Sequence, residues 1–270
     1  MVCASSFKLI KGDAVLLPSG WKLTSNSDLP LRDWILYKDT DFIVLNKPAG
    51  IASHAGPKHG VSIAASLAEL TYSCPTPPKL LHRLSSKISG ALLLARHDDA
   101  AQASKELMKK HAFWRRKFWA ICNGGSYTSE SGTINVPLVK GSFPSNTSVG
   151  CVSQGGQVAI TEWRRLKQTR SDGGLSLLEL EPYTSITDQM RIHLAFALRA
   201  PIVGDEVYRK VSGWIGNTVA DSSSNPGVAA PFQETDAFSG SAHHANLHLH
   251  CRELRFCTFG GKYDFHVVSF

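Results

Sequence analysis

His82, Arg83, Ser85 and Lys87 stand close together in "LLHRLSSKISGALLLAR", residues 80–96, and pose the first chemical question. A serine hydroxyl attacks only when a neighbouring base takes its proton, and His82 lies three residues before Ser85. Arg83 and Lys87 read either as phosphate ligands or as rim charges. A second stretch, "MKKHAFWRRKFW", interleaves Arg115, Arg116 and Lys117 with aromatic rings. That pattern suits nucleic acid, because cations take phosphates and rings take bases. An amphipathic strand with basic flanks writes the same pattern. His243, His244, His248, His250, Cys251 and Cys257 invite a zinc reading, but their spacing lacks paired CxxC or HxxxH geometry, so no metal and no other cofactor is expected.

The elements that must position these residues are legible in outline. "WILYKDTDFIVLNKPAG" predicts a strand over Trp34–Lys38, a turn at Asp39-Thr40-Asp41 and a second strand over Phe42–Asn46, with Lys47 entering the Pro48-Ala49-Gly50 turn. "VSIAASLAEL" has helical spacing, with Ile63, Leu67 and Leu70 on one face. "GALLLAR" reads as a short buried strand. The next segment reads as a helix capped by Asp98 or Asp99 and ending at Lys109 and Lys110, where the dipole favours cations. "KFWAICNGG" is a strand stopped by Gly124-Gly125, and "QVAITEWRRLKQT" and "GLSLLELEPY" form a hairpin across Ser171–Gly174. "TDQMRIHLAFAL" reads as a helix capped by Thr187, with Met190, Leu194, Ala197 and Leu198 sharing a face. "LHLHCRELRF" closes the chain with a strand. Hairpins mixed with separated helices indicate an α+β fold rather than a parallel sheet.

The bulk properties set outer bounds. The chain has 270 residues, 43% of them apolar, which is ample for a packed core. It contains no run of 18 or more apolar residues, so no membrane span is expected. The formal charge of +7 and isoelectric point near 9.1 favour a polyanionic partner. Six cysteines without a regular framework read as free thiols in a reducing compartment. Residues 209–245 are rich in Ser, Gly, Ala and Pro and read as a long surface insertion.

Five segments in order carry a family resemblance: "ILYKDTDFIVLNKPAG", "HRLSSKISGALLLA", "RRKFWAICNG", "TSITDQMRIHLAFALRAPIVGDEVY" and "LHLHCRELRF". Together they resemble the RluA-type pseudouridine synthases. The resemblance implies a pseudouridine-synthase fold, in which a mixed, largely antiparallel sheet is split by a basic cleft with helices on its outer faces. It implies a domain over residues 34–270, carrying the insertion, after an extension over 1–33 too short for a complete S4-like domain. Enzymes of this family flip a uridine out of folded RNA, detach the base, rotate it and rejoin it through carbon, which requires a carboxylate at the sugar.

This chain departs from the family at the positions that matter most. The family pattern, roughly HRLDxxTSGL, has its catalytic aspartate where this chain has Ser85. His82 belongs to the ordinary family pattern and signals no new dyad. The tyrosine that stacks on the flipped base is Phe118 here, which keeps a ring and loses a hydroxyl. In the segment written TGRTHQIRVH in the family, the arginine that pairs with the aspartate is Ile186 and the first histidine is Asp188. Gln189, Arg191 and His193 still match. Losing both halves of a buried pair is physically coherent, since an aspartate removed alone strands an arginine at a cost of several kcal/mol.

The resemblance therefore implies a catalytically inactive homologue that binds structured RNA rather than DNA. Lys47, His82, Arg83, Lys87, Arg115, Arg116, Lys117, Phe118 and Arg191 are its expected RNA contacts. The expected role is ribosome assembly, acting on large-subunit rRNA with ribosomal proteins or other assembly factors. The expected place is the mitochondrial matrix, or else the cytoplasm or another reducing compartment. One alternative is an active synthase that uses Asp188 as a displaced carboxylate. Another is a protein-interaction module without RNA binding.

Overall fold

Alternation of buried and half-exposed side chains along successive strands builds one large sheet, with few helices against it. The computed structural model describes residues 29–54, 61–108, 114–124, 127, 129–142, 148–152, 155–169, 174–209, 246–257 and 264–269. The elements are β1 (Ile35–Lys38), β2 (Phe42–Lys47), α1 (Ile63–Ser66), β3 (Lys79–Leu80), β4 (Ser89–Ala95), α2 (Asp98–Met108), β5 (Trp114–Asn123) and β6 (Ser131–Asn135). They continue with β7 (Leu138–Ser142), β8 (Ser148–Val152), β9 (Ile160–Gln168), β10 (Leu175–Pro182), α3 (Gln189–Phe196), β11 (Leu249–Cys257) and β12 (Asp264–Val268). The architecture is α+β, as expected. The extension before residue 29, Lys109–Lys110, the turn at Ser171–Gly173 and all of the insertion past Arg209 lie outside the described residues.

The sheet runs β1-β2-β4-β11-β5-β10-β9-β6, with β12 beside β11 and β3 beside β4, while β7 and β8 form a separate ribbon. Every named pairing is antiparallel except β4 with β11, a short parallel seam of Ser89 with His250 and Gly90 with Cys251. This seam joins two antiparallel halves. Gly90 is required there: its φ is +110°, and a Cβ would stand 2.3 Å from the Cys251 carbonyl oxygen. His250 pins the seam from the side. Its Nδ1 lies 2.9 Å from Ser89 Oγ and its Nε2 lies 2.8 Å from Ser269 Oγ. The Ser269 hydroxyl donates to the Cys251 carbonyl at 2.7 Å, so Nε2 carries the ring proton and Nδ1 accepts from Ser89.

Local chemistry explains most elements. Asp39 Oδ1 accepts the N–H groups of Asp41 and Phe42 at 2.8 and 2.6 Å, closing the β1–β2 turn. All seven residues of β4 are buried, and each of Leu92, Leu93 and Leu94 contributes about 1.5–3 kcal/mol by burial. Ser62 caps α1, and Ile63, Leu67 and Leu70 are buried together, although a 3-10 turn replaces the second helical turn.

Several expectations need correction. At α2 the Ala100 N–H donates to His97 Nδ1, whereas Asp98 pairs with Lys79. Asp188, not Thr187, precedes α3, in the left-handed region and with no side-chain cap. α3 is buried on more than one side, because Leu194 joins the main core while Ile192 and Ala195 join a second cluster with Leu138, Ala159 and Tyr208. β11 does not close the chain, since β12 pairs with it. The assignment of residues 1–33 to an extension leaves open whether it docks on the core; Leu29 and Leu31 are fully buried there.

Candidate nucleic-acid interface

The loop that carries Ser85 is held from beneath by the turn after β2. Ser53 Oγ donates to the Leu84 carbonyl at 2.8 Å and accepts the Leu84 N–H at 3.1 Å. Gly50 N–H donates to the Ser86 carbonyl at 2.7 Å. Lys47 Nζ donates to the carbonyls of Pro48 and Ile51 at 2.8 Å and reaches that of Ser86 at 3.5 Å. Ile88 N–H then donates to the Ser85 carbonyl at 3.0 Å, closing a turn that leaves Arg83, Ser85 and Lys87 exposed. The sequence marks Gly50 only as a turn residue and Ser53 not at all, so their positioning roles emerge from the structure.

The second wall comes from β5. Its register places Phe118 beside Cys251, Cys251 beside Gly90 and Gly90 beside Lys47, so one transverse row crosses the seam at the end nearest the Ser85 loop. Arg116 precedes Phe118 by two residues and shares its face of the strand. Its guanidinium lies 4.1 Å from the Trp114 ring centroid and 5.8 Å from that of Phe118. Its Nη2 donates to Ser185 Oγ at 3.4 Å, which links β5 to the loop before α3. Burial holds the Arg116 pKa below its ordinary value. Among the described residues no carboxylate pairs with Arg116.

Arg115 and Lys117 point to the other face of β5, where Glu181 lies 3.4 Å and Glu179 lies 3.6 Å away. The three basic residues therefore do not form one contiguous RNA-facing cluster. Period-two alternation separates them.

Four other expected RNA contacts are internal. Lys47 is wholly buried and its Nζ faces three backbone carbonyls. His82 is buried, accepts the Leu93 N–H at 3.0 Å through Nε2 and packs on Trp114 at 5.0 Å between centroids. Burial, reinforced by the charge of Arg116, pushes its pKa down to about 3, so the ring is neutral. Phe118 is 1% exposed. Arg191 is committed to Asp205, with Nε to Oδ2 at 2.7 Å and Nη2 to Oδ1 at 2.8 Å, and to Asp188 Oδ1 at 2.9 Å. These side chains hold the site's frame. Sequence order alone does not separate frame from surface. Of the expected contacts, Arg83, Lys87 and Arg115 are exposed and Arg116 and Lys117 are half-buried; Lys87 faces Glu206 at 3.3 Å.

The loop before α3 is set by Gln189. Its Oε1 accepts from the Thr184 hydroxyl at 2.8 Å and the Ile186 N–H at 3.2 Å, while Nε2 donates to Ile160 O and Thr161 Oγ1. Ile186 packs against the second apolar cluster. Asp188 follows with φ of +57°, and its second oxygen accepts the Tyr208 hydroxyl at 3.2 Å. The arrangement presents cations and a serine hydroxyl at its surface. The one carboxylate gained in the motif, Asp188, has both oxygens engaged by donors.

Comparison with known proteins places this geometry in context. The sequence model of the RNA pseudouridylate synthase family matches residues 41–196, more than half of the chain. The mitochondrial pseudouridylate synthase RPUSD4 of Rattus norvegicus is 31% identical over 252 residues, covering 84% of this chain and 63% of that protein. Ribosomal large subunit pseudouridine synthase C of Rickettsia felis is 36% identical over 178 residues, covering 65% of this chain and 56% of that protein. The solved structure of human RNA pseudouridylate synthase domain containing 4 superposes with a TM-score of 0.65 at 26% identity, covering 89% of each chain. The chain spans 63% and 65% of the length of the rat and human RPUSD4 proteins it matches.

Proposed function

Since the chain belongs to the RNA pseudouridylate synthase family, we propose that this member binds structured RNA through the family's cleft without isomerising a uridine. The observation that carries the reading is a contrast within one site. Cations remain at its mouth, with Arg83 exposed and Arg116 facing no carboxylate among the described residues, while the position of the family's catalytic acid is Ser85. A cation held in a half-buried pocket without a counter-ion is stabilised by an incoming phosphate. His82, the base nearest in sequence, is buried with Nε2 bonded to the Leu93 N–H, so the exposed Ser85 does not replace a carboxylate at the sugar.

The state of Asp188 supports the same reading. Its carboxylate accepts from Arg191 through one oxygen and from Tyr208 through the other, which holds it in place and occupies both oxygens. Ile186 in place of the family's arginine supports it as well, because it offers no charge to an acid at residue 85.

The biological setting follows from the relatives. Proteins named as mitochondrial pseudouridylate synthases and as a ribosomal large subunit synthase support a role on large-subunit rRNA in the mitochondrion. There the protein holds an rRNA element during assembly, alongside ribosomal proteins or other assembly factors. The test is crosslinking and sequencing of RNA bound to the tagged protein in its native cells, with pseudouridine mapped on the same RNA with and without the protein. Binding to one rRNA region with every pseudouridine retained is the expected result. A single uridine that loses its modification on depletion, and regains it with purified protein in vitro, overturns the proposal.

A further inference from the structure

Three cations surround one exposed aromatic ring at the end of β4 remote from the Ser85 loop. Lys38 Nζ lies 4.0 Å from the ring centroid of Tyr72, and the guanidinium carbons of Arg32 and Arg96 lie 5.6 and 5.8 Å from it. Tyr72 is 40% exposed. Its φ of +47° is a left-handed conformation that bulky residues seldom adopt. The turn closed by Cys74 N–H to Thr71 O at 3.0 Å holds it there. A ring kept on the surface by an unfavourable backbone, in contact with three like charges, points to a ligand.

The neighbouring carboxylates do not neutralise the patch. Glu69 lies 3.8 Å from Arg32. Asp39 is occupied by the Tyr37 hydroxyl and the N–H groups of Asp41 and Phe42, and Asp41 lies 3.0 Å from His97 Nε2. Arg96 is anchored by Nη1 to the carbonyls of Asp39 and Thr40. Lys38 and Arg96 thus meet no carboxylate among the described residues and carry a surplus of positive charge. Arg96 directly follows β4 and the Ser85 loop directly precedes it, so the strand separates the two places by about 20 Å.

We infer that this patch is a second RNA contact, which takes an unpaired nucleotide beside the structured element held at the cleft. The base stacks on Tyr72, while Lys38 leaves the ring face to join Arg32 and Arg96 on the flanking phosphates. The inference rests on the RNA-binding reading above.

The test compares two labelled RNAs, a stem–loop and the same stem–loop with a single-stranded tail, in equilibrium binding at fixed salt. The unaltered protein is expected to bind the tailed RNA about tenfold more tightly, Tyr72→Ala to lose that difference and Tyr72→Phe to keep it. Lys38→Gln, which leaves the backbone at Tyr72 untouched, is expected to lose part of it, and thermal unfolding of each variant controls for folding. A tail that adds nothing to the unaltered protein's affinity, or a gain that Tyr72→Ala retains, overturns the inference and leaves cleft binding standing. Failure of the unaltered protein to bind either RNA overturns the RNA-binding reading and the inference with it.

Discussion

Arg191 and Asp205 form a bidentate pair in the interior, with their side chains 9% and 1% exposed. Burial opposes the guanidinium charge, but the hydrogen bonds and charges of Asp205 and Asp188 outweigh it and raise the Arg191 pKa. Asp205 also accepts the N–H groups of Val207 and Tyr208, so it fixes the chain that leads into the insertion. Asp205→Ala leaves Arg191 with only Asp188 as a counter-charge and strands two backbone donors, that of Tyr208 buried. A loss of about 3–5 kcal/mol is expected in denaturant unfolding. A loss below 1 kcal/mol would show that water reaches the pair.

Gly90 allows no side chain. In Gly90→Ala a left-handed backbone and a Cβ pressed against the Cys251 carbonyl act together. The expected cost is about 2–5 kcal/mol, visible as a lowered Tm. Ser89→Ala, which removes only the hydroxyl bonded to His250, is expected to cost about 1 kcal/mol.

Lys47 gives stability a pH dependence with a definite sign. Burial lowers its pKa from 10.5 to about 7, so between these values the unfolded chain holds a proton that the native state has released. Stability therefore rises with pH in that window, by about 2 kcal/mol from pH 7 to 9. Lys47→Met is expected to flatten this rise when unfolding is followed at several pH values. Parallel profiles for the two proteins would mean that the three carbonyls keep the ammonium charged throughout.

Arg116 and Arg115 are neighbours in sequence with opposite surroundings, and RNA binding should separate them. Arg116→Gln is expected to weaken binding of a stem–loop RNA and to reduce the slope of log affinity against log salt by about 0.7–0.9, one phosphate contact. Arg115 faces Glu181 on the other side of β5, and Arg115→Gln should leave the slope unchanged. Equal effects of the two changes would mean that diffuse charge, not the pocket, attracts the RNA.

Ser85→Asp alone should produce no pseudouridine, because Ile186 offers no cation to orient the new carboxylate. Ser85→Asp combined with Ile186→Arg supplies both residues of the family's pair and is expected to give a detectable product on a stem–loop RNA. Activity in the single variant would show that the arginine is dispensable in this cleft.

How much of this was legible in the sequence depended on the type of signal. The run Ala91–Ala95 announced a strand buried on both faces, and Asp39-Thr40-Asp41 announced its turn, because in each case local chemistry and final environment agree. β6, written Ser-Gly-Thr-Ile-Asn, has one buried residue and no apolar period, so its pairing with β9 is imposed by the sheet. The site was legible as a set of positions but not as a surface. Lys47 and Arg191 look like phosphate ligands in a list of residues, yet each spends its hydrogen-bond donors inside the protein. Burial, which decides between those uses, is settled by strands far apart in the chain.

That separation shapes how the protein reaches its native state. Ser89 and His250 are 161 residues apart, and β11 is the strand that fills the place between β4 and β5. Until it arrives, each half of the sheet presents an unpaired edge, short at Ser89 and Gly90 of β4 and long along β5. Closing so long a loop is slow relative to forming the local hairpins on either side. The newly made chain therefore passes through a stage with two open edges at what becomes the centre of the molecule. Such a species pairs readily with other chains, so the yield of folded protein falls with concentration and rises with chaperones that shield strand edges.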